Sequence, residues 1–274
     1  MTVQARPGLR FAGVVTLAAV LTLGACRANT PDAAAIPPVP DGPASAVAVD
    51  GHVALNSLMA LSDLHLQKLA DVMRMLAATD AARSADWGRI RPLLAEAART
   101  NVSAVNWFAL PDGSYSSVQE GPAAGTLADR AYWGRLLAGE TVIGELVVSR
   151  ATGRNVAIVA VPVRGAGGAV VGVLGNSVHL DQLSALLKRE MGLEPNQLFY
   201  SLDAEPLVGL HVDPRTIFLH PLEEGDPQVD RAMREILSRE EGEVSYDFRG
   251  ARRTVIYRRS TVTGWWYAFG VLHP

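Results

Sequence analysis

Apolar side chains recur at helical spacing between residues 54 and 78. Leu55, Leu58, Leu61, Leu64, Leu69, Val72 and Leu76 fall near one face, with Met59, Met73 and Met75 beside it. No glycine or proline interrupts the run, so it predicts one long helix. A second helical stretch, Asp86–Arg99, contains Pro92, whose missing N–H predicts a kink. The period then shortens. Ala104–Leu110 and Ser114–Val118 flank Pro111-Asp112-Gly113, a turn in which proline fixes φ and glycine accepts the left-handed position. Glu120–Thr126 reads as a loop and Asp129–Leu137 as a helix. Three apolar runs follow, Val142–Val148, Asn155–Val163 and Ala169–Val178, joined by short glycine-containing linkers that predict successive antiparallel strands. A helix over Asp181–Glu190 opens on an aspartate suited to capping.

The same order of pieces recurs downstream. Leu198–Leu202 and Leu207–Val212 flank a turn at residues 203–206, and Thr216–His220 is an extended piece before a helix over Pro227–Arg239. Strands are predicted over Glu243–Phe248, Arg252–Arg258 and Trp265–Val271. There is no residue-level repeat, only a repeated order of hairpin, helix and meander. The pattern predicts an α+β architecture, a long N-terminal helix followed by modules built on antiparallel sheets, with the second module shorter. Trp265 and Trp266 are consecutive on a strand and face opposite sides, so one is expected in the core and the other exposed or against a partner.

The chain has 274 residues, 49% of them apolar, and a net charge of -3. That is enough apolar material for one large or two small domains. The balanced charge and the absence of a Lys/Arg cluster argue against nucleic-acid binding.

The chain start changes the picture more. Arg6 and Arg10 precede an apolar run, Phe11–Leu23, too short for a stable bilayer-spanning helix. The run ends Leu23-Gly24-Ala25-Cys26, which matches the lipobox of bacterial lipoproteins, and implies diacylglycerol attachment to Cys26 after removal of residues 1–25. An ordinary secretory signal with an incidental cysteine is disfavoured, because Cys26 is the only cysteine and stands at the required place. The lipid would hold the protein to a membrane leaflet without a spanning helix. Arg27 stands where an aspartate would signal inner-membrane retention, which leans the expected periplasmic location toward the outer membrane. Prolines 31, 37, 38, 40 and 43 among alanines make residues 26–50 an extended tether.

Enzyme readings fare poorly, and no catalytic residue, cofactor or metal is expected. Gly175-Asn176-Ser177-Val178-His179 lacks the last glycine of a nucleophile elbow, and no acid accompanies Ser177 and His179. The glycines at 165, 167, 168 and 172 form neither a dinucleotide fingerprint nor a P-loop. His65 is a lone histidine on a helix, and His211 and His220 are too isolated for a metal pair. Arg249, Arg252, Arg253, Arg258 and Arg259 read as a solvated strand face.

Five segments carry a resemblance to a known family. They are Asp129-Arg130-Ala131-Tyr132-Trp133, Val142-Ile143-Gly144-Glu145, Ser149-Arg150-Ala151-Thr152-Gly153, Val156–Pro162 and Gly172-Val173-Leu174-Gly175. In this order they resemble Cache domains, the PAS-like extracellular sensors, in their double form. Thr263-Gly264-Trp265 resembles the end of a membrane-proximal Cache module. The resemblance implies N-terminal helices over 51–100, a membrane-distal module over 101–192 and a second, smaller module over 193–274. It also implies a small-molecule pocket between the first sheet and the Asp129–Leu137 helix. In amino-acid-binding members an arginine and aromatics of this helix hold the ligand carboxylate, which Arg130, Tyr132 and Trp133 match. Trp107, Ser149 and Ser177 complete the candidate lining. The aspartate that would hold a ligand amine is replaced by Asn176 or Ser177, and an expected tyrosine by Gly125, which leaves an organic acid or other small anion as open as an amino acid.

The expected function is therefore that of a lipid-anchored small-molecule sensor. No output domain follows the last strand, so the response is expected to pass through a partner membrane signalling protein. The alternative is a structural or assembly lipoprotein using the fold as a scaffold. The long helix could pair with a second copy, and packing against its own sheets explains it equally well.

Overall fold

Asp50 starts the long helix by accepting the backbone N–H of His52 at 2.8 Å, and α1 then runs from Gly51 to Ala77. Its buried face is Leu55, Leu58, Ser62, Leu66, Leu69 and Met73, a stripe at steps of three and four. Leu61, Leu64 and Met75, counted with the apolar face in the sequence, are exposed. The computed structural model describes residues 50–99 and 104–273. The leader, Cys26 and the tether over 26–49 lie outside the described residues. Among the described residues no helix is long and apolar enough to cross a membrane.

A single turn, α2 (Asp80–Arg83), precedes α3 (Trp87–Arg99), which continues through Pro92. The first sheet contains β1 (Ala104–Ala109), β2 (Ser114–Ser117), β3 (Gly121–Thr126), β4 (Val142–Val148), β5 (Asn155–Arg164) and β6 (Val170–His179), in the order β3-β2-β1-β6-β5-β4. The expected loop over Glu120–Thr126 is thus strand β3. It is an edge strand, where the missing N–H of Pro122 disturbs no central ladder. A five-residue helix, α4 (Trp133–Leu137), lies between β3 and β4, and α5 (Leu180–Met191) follows β6.

The second sheet is built from β7 (Gln197–Leu202), β8 (Val208–His211), β9 (Glu241–Phe248), β10 (Ala251–Arg259) and β11 (Trp266–His273), in the order β8-β7-β11-β10-β9. This is the order of β2-β1-β6-β5-β4 again. In both sheets the last strand pairs antiparallel with the first. The second sheet lacks only a counterpart of β3. Two 3₁₀ turns, Pro214–Thr216 and Pro221–Glu223, flank the expected extended piece, in which Phe218 N donates to Val208 O at 2.8 Å and Leu219 O accepts from Val208 N at 3.0 Å, and lead into α6 (Pro227–Leu237).

Each sheet is covered on both faces. One core joins α1 and α5 to Ala157, Val159 and Val178 of the first sheet and to Phe199, Tyr267 and Phe269 of the second. The other face of the first sheet packs Trp107, Ile158 and Val173 against Tyr132, Trp133 and Leu136. The other face of the second packs Tyr200, Tyr257 and Trp266 against Val229, Met233 and Ile236 of α6. Trp265 and Trp266 therefore point to opposite sides and are both buried, at 1% and 5% exposure, because α6 covers the side expected to be open.

Candidate functional site

The helix expected over Asp129–Leu137 forms only from Trp133. Before it the backbone makes three-residue turns, with Arg130 N donating to Leu127 O at 3.0 Å and Trp133 N to Arg130 O at 2.9 Å. These turns hold Arg130 and Tyr132 over the outer face of the first sheet. Trp107 on β1, Tyr115 on β2, Ile158 on β5 and Ser177 on β6 face them, and the Ser149–Ala151 turn after β4 closes one side. The cavity between is narrow, about 20 Å³.

The sheet face sets the walls. Trp107 stands beside Gly175 in the β1–β6 register, and a Cβ at residue 175 would run into its indole. The indole Nε1 donates to Ser177 Oγ at 3.1 Å, which fixes the ring. Tyr132 is 2% exposed, and burial pushes its phenol up to about 12, with the charge of Arg130 opposing the rise. Burial also raises the Tyr115 phenol.

Two guanidinium groups converge here. Arg130 donates from Nη2 to the Val148 carbonyl at 2.9 Å, while its Nε is buried without a hydrogen-bond partner. Arg150 donates from Nη2 to Asp129 Oδ2 at 2.6 Å and from Nη1 to the Thr126 carbonyl. That hydrogen bond holds the exposed Asp129 carboxyl below its ordinary range. Arg150 is thus matched by a carboxylate and Arg130 is not. No acidic side chain lines the cavity.

Five of the six candidate residues come together at this place: Trp107, Arg130, Tyr132, Ser149 and Ser177. Ser149 also holds its own turn, its Oγ accepting from Thr152 N at 3.3 Å. Trp133 does not line the cavity; it is buried in the core beneath it with its Nε1 unpartnered. Asn176, weighed as a replacement for the amine-binding aspartate, alternates to the opposite face of β6 from Ser177, beside Asn106. Tyr115 and Arg150 were not singled out. Arg150 stood in the quoted Ser-x-x-Thr-Gly turn, but its reach to the cavity depends on the hairpin that β4 and β5 form. Among the described residues no group of histidine, cysteine, aspartate or glutamate could hold a metal ion.

No protein-family model matches this sequence, and no curated protein does either. Solved structures do. The ligand-binding domain of the Pseudomonas aeruginosa PAO1 amino acid chemoreceptor PctB, in complex with L-Arg, superposes with a TM-score of 0.62 at 16% identity, covering 81% of this chain and 93% of that one. The extracellular domain of the putative histidine kinase rpHK1S-Z16 gives 0.64 at 14% identity, covering 80% and 92%. The sensor domain of the V. cholerae histidine kinase DctB gives 0.60 at 13% identity, covering 81% and 96%. The chain shares the α+β double-sheet fold of these ligand-binding and sensor domains, the fold class that the Cache resemblance in the sequence implies.

Proposed function

We propose that this chain is an extracytoplasmic sensor protein, lipid-anchored through Cys26 in the periplasm, that binds a small anionic ligand and acts through a partner signalling protein. In this reading residues 101–192 form the ligand-binding module and residues 193–274 a second module. The observation that carries the reading is Arg130: a guanidinium with a buried, unpartnered Nε beside a cavity walled by Trp107, Tyr115 and Tyr132. Such a group gains from a carboxylate, which accepts paired charge-assisted hydrogen bonds, while the aromatic walls exclude water. The neighbouring chemoreceptor structures hold L-Arg, L-alanine and GABA, which all carry a carboxylate. The lining here offers no acid to take an ammonium group, so an organic acid suits it better than an α-amino acid. Ligand entry requires the turns at Leu127–Tyr132 to lift, since the closed cavity has room for about one water molecule.

A thermal-shift screen of amino acids, short organic acids, amines and purines tests this, because a ligand that binds only the native state raises the melting temperature. A stabilising organic acid whose effect disappears in Arg130→Ala is the expected result. No stabilisation by any class would overturn it. The narrowness of the cavity supports a second reading, a scaffold lipoprotein that has lost its ligand, and that outcome would favour it.

A further inference from the structure

The second sheet carries a cavity of its own, of about 30 Å³, at the position equivalent to the first. It lies between the outer face of the sheet, the two 3₁₀ turns and α6. Tyr200 on β7 stands as Trp107 does on β1, and the turn residues Thr216, Leu219 and Pro221 stand as Leu127, Arg130 and Tyr132 do before α4. The Tyr246 hydroxyl donates to the Tyr200 hydroxyl at 3.1 Å, and the His211 ring stacks on Tyr200 with centroids 6.4 Å apart. His211 Nδ1 accepts the Asp213 N–H at 2.9 Å.

The cation in this cavity is Arg253. Its neighbours in the arginine run point outward and are paired: Arg258 with Glu241 at 3.2 Å, Arg259 with Glu240 at 3.0 Å and Arg249 with Glu224 at 3.3 Å. Arg253 turns inward instead. Its guanidinium lies 4.6 Å from the Phe248 ring centroid, and its Nε is buried without a hydrogen-bond partner. Among the described residues no carboxylate forms an ion pair with it. Arg253 is half-buried and its side chain hydrogen-bonds Tyr246, but neither that phenol nor the Phe248 ring supplies a counter-charge, so an incoming carboxylate gains a charge-assisted hydrogen bond there.

We propose that this cavity is a second binding site, for a small monocarboxylate whose carboxylate meets Arg253 and whose hydrocarbon part lies among Leu202, Val208, Val229 and Met233. The apolar wall and the single cation match a ligand with one charged end and an alkyl body. The closed volume holds one or two water molecules, so the ligand enters by displacing the cover. That cover is the stretch from Pro214 to Glu223, two isolated 3₁₀ turns with Phe218 between them at φ 69°. Positive φ is strained for an aromatic residue, and it marks the place where this stretch can rearrange.

Fluorine NMR of trifluorobutyrate with the full chain tests the proposal. Line broadening that unlabelled butyrate reverses is expected, with affinity falling about tenfold or more in Arg253→Gln, as loss of a charged hydrogen bond implies. The Arg253 comparison is made in the Arg130→Gln background, which removes the first cavity's carboxylate contact, so that the broadening remaining there reports this cavity. Met233→Trp, which fills the cavity from α6, is expected to abolish broadening. If Arg253→Gln fails to fold by circular dichroism, Arg253→Lys decides: weakened binding supports the site, and unchanged binding overturns it. Absence of broadening, or broadening unaffected by Arg253→Gln, overturns it. Loss of all broadening in Arg130→Gln itself also overturns it, while leaving the first cavity's reading intact. Failure of the first cavity to bind any acid leaves this one standing.

Discussion

The indole Nε1 of Trp265 donates to the carbonyl oxygen of Gly144 at 2.9 Å, tying the segment before β11 to a bulge in β4 of the other sheet. Gly144 sits at φ 89°, and a Cβ there would lie 3.0 Å from Thr263 and 3.3 Å from the Trp265 ring. The sheets meet where backbone replaces a side chain. Gly144→Ala therefore combines an unfavourable φ with a clash, and is expected to cost about 1–3 kcal/mol. Thermal unfolding should show a fall of about 2–12 °C.

Tyr267 anchors α1 in the same core. Its hydroxyl lies 2.9 Å from both Ser62 Oγ and Asp63 Oδ1, and Asp63 also accepts from Ser260 at 2.6 Å. Tyr267→Phe leaves these buried oxygens short of a partner, at a cost of about 1–3 kcal/mol. Urea unfolding should show a lower midpoint with an unchanged slope, since the fold itself is kept.

Gly175 makes room for Trp107 in the first cavity. In Gly175→Ala the new methyl displaces the indole and breaks its hydrogen bond to Ser177. A red-shifted tryptophan fluorescence and loss of any ligand-induced thermal shift are expected. Ser177→Ala should loosen the same ring more gently, at about 1–3 kcal/mol for an unpaired buried N–H.

His211 gives the protein an acid-sensitive element. Burial first, then the charge of Arg253, lowers its imidazole from 6.5 to about 4. The native state keeps it neutral, whereas the unfolded chain takes up a proton below pH 6.5. Its contribution is therefore complete above that pH and is lost as pH falls toward 4, by about 3 kcal/mol. Burial raises Asp63, Glu145 and Asp203, which work in the opposite sense at the acid end. The comparison with His211→Asn removes them: the difference in stability between the two proteins should shift by that amount between pH 6.5 and 4. A difference independent of pH would mean that His211 does not titrate this way.

Most elements were legible in the sequence, and the exceptions have definite causes. Strand β3 was hidden because Gly121, Pro122 and Gly125 have poor strand propensity, and it forms only as an edge against β2. The helix before β4 was overextended because residues 129–132 look helical locally but are held in turns above the sheet. In the long helix, counting leucines placed Leu61 and Leu64 on the packed face, whereas Ser62 and Leu66 occupy it. Of the first cavity, the sequence marks Trp107, Ser149, Ser177 and, from one motif, Arg130 and Tyr132, and it passes over Tyr115 and Arg150. Trp133 belonged to the same motif but packs below it.

The sequence by itself determined the order of helices and strands and the repeated hairpin, helix and meander. These follow from side-chain period and turn chemistry, which are properties of neighbouring residues. Only the tertiary structure decided which side chains converge. Trp107 reaches Ser177 across 70 residues, and Trp265 reaches Gly144 across 121. Arg253 differs from Arg252 and Arg258 by strand alternation and by α6 lying above it, and nothing in the local run distinguishes it from them. Convergence depends on strand pairing and layer packing between distant segments, so only the folded chain fixes it.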